Sequence, residues 1–176
     1  NTMSAIDSLR DSFPDAAKDT RLNLDGVLRG SSTLTTDQRW LVAIASAYAL
    51  GCRPLADALV ADARGVASDG VFEDAKAAAS LMAMNNVFYR FRHLVGKEVY
   101  GTKRAGLRMN RLGQVATNKA DFELACLAVS AINACETCVK SHEKVVLDGG
   151  LSEDQVHDAV RTASVIAAAA TTVGML

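Results

Sequence analysis

The sequence lacks an excess of charge of either sign, with 19 basic and 20 acidic residues and a net charge of −1. Nucleic acids and anionic membrane surfaces attract clustered positive charge, so neither is an expected partner. No stretch approaches the roughly 20 apolar residues of a membrane span, and the N-terminal NTMSAIDSLRDS is too polar for a secretory signal. The cytosol is therefore the expected compartment.

Proline and aromatic residues are also scarce, with two prolines among 176 residues and aromatics at 5%. Alanine is abundant instead, and apolar residues recur at spacings of three and four, which is typical of helices. We therefore predict an all-α protein. A chain of 176 residues, 49% of them hydrophobic, can form one domain with a substantial core.

Start and stop signals divide the chain into predicted helices, because proline suits a first turn, Ser or Thr suits an N-cap and glycine suits an end. These signals are Ser4 with Asp7, Pro14, Thr35 with Gln38, Gly51, Pro54, Gly149-Gly150 and Ser152 with Gln155. Long helices are predicted over about 73–93, 119–131, 133–147 and 152–173, with a candidate interruption at Asn85-Asn86. Residues 94–118 contain four glycines and are predicted to form a loop with short helical pieces.

A weak internal similarity relates two parts of the chain at a constant offset of 49 residues. Asp74, Asn86, Tyr89 and His93 stand against Glu123, Cys135, Cys138 and His142. One explanation is duplication of a helical unit inside a single domain of residues 1–176, with copies at about 37–94 and 119–173. Chance similarity between two alanine-rich helices is the other, and no functional inference depends on the choice.

The segment FELACLAVSAINACETCVKSHEKVV contains two of the four cysteines, Cys135 and Cys138. In a reducing compartment such a pair indicates thiol chemistry or metal binding more than a structural bridge. Asn133 is a good N-cap residue, which would put Cys135 at the second helical position, where free N–H groups and the helix dipole favour a thiolate. Spacings of three and four residues then place both sulfurs and His142 on one helical face.

This arrangement predicts a redox dithiol with a base close by. Only a thiolate attacks a peroxide or a disulfide, and an unperturbed cysteine is mostly protonated at neutral pH. His142, one turn after Cys138, can take that proton. Glu123 lies twelve residues before Cys135, so it reaches the site only if the chain turns near Ile132-Asn133, and it could then orient the imidazole.

Two other interpretations of the Cys-x-x-Cys pair stay open. With His142 it could form part of a zinc site, for which Cys52, Cys126, His93 and His157 are scattered candidates for the fourth ligand. It could also be an inert buried pair. Cys52 and Cys126 are predicted to be core residues, His93 to end its helix, His157 to be solvated, and residues 82–91 to be core or subunit interface.

The combination of Glu123, Cys135-Glu136-Thr137-Cys138 and His142, with MNNVFYR at 84–90 and GLRMN at 106–110, resembles the alkyl hydroperoxide reductase D (AhpD) family. That family belongs to the carboxymuconolactone-decarboxylase-like superfamily, and the likeness spans about residues 22–173. The resemblance implies a multihelical AhpD-like fold with a duplicated helical motif, assembled as a homotrimer with partly exchanged helices.

The resemblance also implies an antioxidant function, as a weak reductase of alkyl hydroperoxides and an adaptor that passes electrons to the peroxiredoxin AhpC. Its expected electron donor is the lipoyl group of a dihydrolipoamide acyltransferase, which dihydrolipoamide dehydrogenase and NADH recharge. No tightly bound cofactor is expected.

Carried over residue by residue, the resemblance makes Cys138 the cysteine that attacks peroxide, His142 its base, Cys135 its disulfide partner and Glu123 part of the proton relay. The dipole argument favours Cys135 instead, and we follow the resemblance because a histidine one turn away acts more specifically. One position departs from the family, which has a histidine where this chain has Thr137. A hydroxyl cannot titrate near neutral pH, so we expect a less activated Cys138.

Two functions of other classes remain as alternatives. Decarboxylation or isomerisation of a lactone would use Glu123 and His142 as acid and base and would need no cysteine. A zinc-stabilised interaction module would bind one zinc per chain through Cys135. The intact Cys-x-x-Cys pair favours the redox function over both.

Overall fold

The computed structural model describes residues 3–176, and every regular element in that range is helical. Its α-helices are α1 (Ala5–Asp11), α2 (Lys18–Arg29), α3 (Thr36–Ala49), α4 (Arg53–Ala63), α5 (Asp69–Val95), α6 (Glu98–Thr102), α7 (Lys119–Ile132), α8 (Glu136–Asp148) and α9 (Glu153–Val173). Two short 3₁₀ helices cover Asp15–Ala17 and Asn110–Gly113. The predicted all-α class and the loop with short helical pieces are confirmed, while residues 1 and 2 lie outside the described range.

Most helix boundaries follow the local signals in the sequence. Thr35 and Ser152 form complete capping boxes at the starts of α3 and α9, and the Ser4 hydroxyl caps α1. Gly51 has a φ of 67° just after α3, a conformation in which a Cβ would be strained. Pro14 is the exception, because it precedes the first 3₁₀ helix and α2 begins only at Lys18.

Helix α5 is continuous over 27 residues and has no interruption at Asn85-Asn86. The carboxamide of Asn86 is fully buried and bonds outward, donating to Ser130 Oγ at 2.9 Å and accepting from Asn133 Nδ2 at 3.0 Å. Because its partners lie on α7 and at the end of α7, this side chain does not compete for the backbone of its own helix.

The core is centred on α3 and α7, which contact each other and also contact α5 and α9. Residues 41–47 of α3 and residues 121–130 of α7 are buried on all sides. A helix that is apolar around most of its circumference belongs in the interior. Polar side chains within residues 121–130 of α7 are therefore carried into the protein, and Glu123 is one of them.

The two segments related by the 49-residue offset differ in backbone form. The first is the continuous helix α5, whereas the second is α7, a break and then α8. Duplication stays a prediction. Over residues 3–176, no helix is both long and apolar enough to cross a membrane.

Candidate active site

The break between α7 and α8 positions the two cysteines. Asn133 is the C-cap residue of α7, Ala134 has a left-handed φ of 54°, and Cys135 is the N-cap residue of α8. The prediction that Asn133 caps α8, with Cys135 at its second position, is wrong. The side chain of Asn133 donates to Asn86 on α5 instead, at 3.0 Å, so it is not available to α8.

This later helix start places Cys138 in the first turn of α8, where the helix dipole and free N–H groups act. The helix dipole therefore also favours a thiolate at Cys138. The Sγ atoms of Cys135 and Cys138 lie 2.14 Å apart, which is disulfide distance. Cys135 is completely buried and Cys138 is 7% exposed, so Cys138 is the sulfur that a reactant can approach.

The same break folds α8 back beside α7 and brings His142 to Glu123. The Nδ1 atom of His142 lies 2.5 Å from Oε2 of Glu123, and both side chains are largely buried. The turn that Glu123 needs to reach the site is therefore present.

Lys119 contacts the other carboxylate oxygen of Glu123, with 2.7 Å between Nζ and Oε1. Burial raises the pKa of Glu123, but the hydrogen bonds and charges of His142 and Lys119 outweigh burial and hold that pKa below its usual value. Glu123 is therefore a carboxylate at neutral pH. Lys119 was not among the predicted site residues, although its i,i+4 spacing from Glu123 on a predicted helix could have indicated it.

Met82 on α5 contacts the second ring nitrogen of His142, with 3.2 Å between Sδ and Nε2. The imidazole thus lies between a carboxylate and a thioether, and it makes no hydrogen bond to Cys135 or Cys138 in this state. Met82 is completely buried, in agreement with its predicted place in the core. Nothing in the sequence indicated that it would contact the imidazole.

Cys138, Glu123 and His142 line one cavity of about 430 Å³. Hydroxyl groups of Thr137 and Ser141 add to its polar side. The apolar side of the cavity is formed by Val145 on α8 and by Met109 and Leu112 from the segment after α6. A few convergent polar groups beside apolar walls suit a small molecule with a reactive polar end.

The remaining cysteines and histidines lie where the sequence predicts. Cys126 is completely buried, and burial raises the pKa of its thiol well above the usual range, while Cys52 packs half-buried against the core. His93 is in the last turn of α5, with Nε2 3.1 Å from Oε2 of Glu136, and His157 is exposed. Among the residues described, no three His, Cys, Asp or Glu side chains are grouped to hold a metal ion.

Comparison with known proteins gives consistent matches over most of the chain. Residues 101–175 match the carboxymuconolactone decarboxylase family model. The alkyl hydroperoxide reductase AhpD of Anaeromyxobacter dehalogenans is 58% identical over 96% of this chain and 90% of its own. The proteins of the same name from Streptomyces griseus and Rhizorhabdus wittichii are 46% and 44% identical, over 96% and 95% of this chain and 94% and 96% of their own.

Proposed function

The chain belongs to the alkyl hydroperoxide reductase AhpD family, and from that premise we propose that it is an antioxidant thiol–disulfide oxidoreductase that reduces hydroperoxides. The observation that carries this proposal is the placement of Cys138. It is the accessible sulfur of a pair at disulfide distance, and it shares a cavity with the Glu123–His142 contact.

In the oxidative half-reaction, the Cys138 thiolate attacks the hydroxyl oxygen of the hydroperoxide and the O–O bond breaks. The sulfur becomes a sulfenic acid, and the alkoxide leaves as an alcohol after taking a proton from His142. Cys135 then attacks the sulfenic sulfur, which forms the disulfide and releases water. Each peroxide therefore takes two electrons from the dithiol.

In the reductive half-reaction, a dithiol attacks the disulfide and is itself oxidised, which returns Cys135 and Cys138 to thiols. The two ring nitrogens of His142 face Glu123 and Met82, and both of these side chains can accept a hydrogen bond. His142 acts as the general acid of this step and gives a proton to the leaving Cys138 thiolate. As donor we propose the lipoyl group of a dihydrolipoamide acyltransferase, regenerated by dihydrolipoamide dehydrogenase in the cytoplasm, with no cofactor bound tightly by this chain.

The same disulfide exchange suits an adaptor between that donor and the peroxiredoxin AhpC. An oxidised peroxiredoxin would accept electrons from the reduced Cys135–Cys138 pair, leaving the pair as the disulfide. The names of the relatives support a place in the alkyl hydroperoxide reductase system.

We further propose that the chain forms a homotrimer. Val87, Phe91 and Leu94 follow one another along one side of α5 and are 59%, 48% and 75% exposed. Large apolar side chains at this spacing suit a contact between subunits. The mass of the particle in solution, measured by light scattering, tests this directly.

Mass spectrometry of the reduced protein after one equivalent of cumene hydroperoxide, and again after dihydrolipoamide, tests the redox proposal. Peroxide should remove two hydrogen atoms and block alkylation of Cys135 and Cys138 only, and dihydrolipoamide should reverse both changes. Cys138→Ser should lose peroxidase activity by about a hundredfold or more, since it removes the attacking atom. Cys135→Ser should stop at a trappable sulfenic acid on Cys138.

Cys126→Ser is the matched control, because Cys126 is a buried thiol outside the cavity and should leave turnover intact. Full peroxidase activity in Cys138→Ser with dihydrolipoamide as donor would show that the redox centre is wrongly assigned.

A further inference from the structure

Asn85 is a buried polar residue of the cavity that contains Cys138, and it has no role in the two half-reactions described above. It lies on α5, it is only 6% exposed, and its side chain lines the same cavity as Cys138 and His142. Its Oδ1 atom is buried and has no hydrogen-bond partner among the residues described. One turn before it, Met82 contacts His142, so this face of α5 is turned towards the site.

The next residue, Asn86, shows what a structural asparagine looks like in the same helix. Its amide donates to Ser130 Oγ at 2.9 Å, and its carbonyl accepts from Asn133 Nδ2 at 3.0 Å. Asn86 thus connects α5 to α7 and its C-terminal end through hydrogen bonds, whereas the carbonyl of Asn85 makes no hydrogen bond to another described residue.

A buried acceptor without a partner destabilises the folded protein, because it has lost its hydrogen bond to water and gained none in return. Native proteins contain few such groups, and each calls for an explanation. A leucine of similar size would remove the penalty. An unpartnered carbonyl on a residue that lines a reaction cavity is explained if the missing partner is a donor on the substrate.

We propose that Asn85 binds the hydroxyl group of the hydroperoxide, with Oδ1 accepting the hydrogen bond of the peroxide O–H. This inference rests on the proposed peroxidase function and adds a binding residue to it. The hydroxyl oxygen is the one that Cys138 attacks, so this hydrogen bond orients the reacting atom. The alkyl group then lies against the apolar walls at Met109, Leu112 and Val145.

Asn85 neither gains nor loses a proton during the reaction, since it only accepts a hydrogen bond. The hydroxyl stays with the sulfur as the sulfenic acid, and the alkoxide takes its proton from His142. A thiol S–H is a weak donor, so the same carbonyl gains little from an incoming dithiol. The oxidative half-reaction should therefore depend on Asn85 and the reductive half-reaction should not.

The test compares Asn85→Leu with Asn86→Leu. In Asn85→Leu, kcat/KM for cumene hydroperoxide and for hydrogen peroxide should fall about tenfold, the value of one hydrogen bond. The rate at which dihydrolipoamide reduces the disulfide should stay within about twofold of wild type, and the melting temperature should be equal or higher. Asn86→Leu should instead lower the melting temperature by several degrees, because it leaves Ser130 and Asn133 unpartnered.

A wild-type kcat/KM for both peroxides in Asn85→Leu would overturn the inference and leave the proposed function standing. An equal fall in both half-reactions, together with a lower melting temperature, would also overturn it, because that pattern marks a structural role. If the wild-type protein turns over no peroxide, the proposed function fails and this inference fails with it. Asn85→Ala, which adds no volume, gives the same comparison should the leucine variant not fold.

Discussion

At the scale of single residues, the site contains a buried carboxylate with a partner at each oxygen and a buried carboxamide whose oxygen has no hydrogen-bond partner among the described residues. Glu123 is buried yet charged because His142 holds one of its oxygens and Lys119 holds the other. Asn85 is equally buried, and its carbonyl has no partner within the described chain. The first arrangement keeps the imidazole in place, and the second leaves an acceptor free for a substrate.

Thr137 lines the cavity next to Cys138, and it is the position at which the family resemblance leads us to expect a histidine. Thr137→His should raise the thiolate fraction of Cys138 at neutral pH by about threefold or more, because a nearby imidazolium stabilises the thiolate and a hydroxyl carries no charge. The ultraviolet absorbance of the thiolate as a function of pH, measured in a Cys135→Ser background, gives this fraction.

Thr137→Ala serves as the control for that comparison, since it removes the hydroxyl without adding a titrating group. Equal thiolate fractions in wild type and Thr137→His would refute the expectation that threonine leaves Cys138 less activated.

At the scale of helices, the break between α7 and α8 depends on Ala134, an exposed residue with a φ of 54°. An L-residue with a side chain is strained there and glycine is not, so Ala134→Gly should stabilise the oxidised protein by about 0.5–1 kcal/mol. Urea unfolding at neutral pH measures the change.

Ala83→Gly is the matched control, because Ala83 is exposed in the middle of α5. There glycine adds backbone freedom to the unfolded chain without relieving strain, so it should destabilise by about 0.5–1 kcal/mol. A loss of stability in both variants would mean that Ala134 is not strained.

At the scale of the whole molecule, Asp74 joins α5 to the segment that precedes α7. Its completely buried carboxylate accepts from Arg111 Nη2 at 2.7 Å, from Ala116 N at 2.9 Å, and from Thr117 N and Oγ1 at 2.8 and 2.6 Å. This segment includes Leu112, so the same carboxylate helps to hold a wall of the cavity. In the 49-residue comparison Asp74 corresponds to Glu123, yet it fastens a loop and contacts no histidine.

Burial raises the pKa of Asp74, but its hydrogen bonds from Thr117, Ala116 and Arg111 outweigh burial and leave that pKa below the usual value. A lowered native pKa stabilises the protein above about pH 4, and this stability is lost as the pH falls through the native pKa. Asp74→Asn should therefore lower the free energy of unfolding by about 2 kcal/mol at pH 7 and by progressively less below about pH 4. Urea titrations at several pH values give both numbers.

The same substitution at an exposed ion pair provides the control. Asp57 pairs with Arg53 across 2.7 Å, but both side chains are mostly exposed. Asp57→Asn should change stability by less than about 0.5 kcal/mol at either pH. A difference for Asp74→Asn that grows as the pH falls would contradict the sign of the argument.

Much of the fold and part of the site were predictable because they depend on residues close in sequence. Capping boxes, the glycine after α3 and the alanine-rich periodicity are local signals, and they located most helix ends correctly. The start of α8 was misplaced because Asn133 has two possible partners, its own helix and Asn86 on α5, and local reasoning sees only the first. Met82 and Asn85 were missed for the same reason, since their contacts with the site cross between helices.

The sequence by itself determined the all-helical class, the two thiols and histidine spaced along one segment, and the family to which the chain belongs. Periodicity and spacing act within a few turns of one helix, so these features needed no knowledge of packing. Only the tertiary structure decided that Cys138 is the less buried of the two cysteines, that Glu123 reaches His142, and that Asn85, with its unpartnered carbonyl, lines the cavity. Those outcomes depend on which faces of α5, α7 and α8 are pressed together, because burial and hydrogen bonding between helices are set by the whole core.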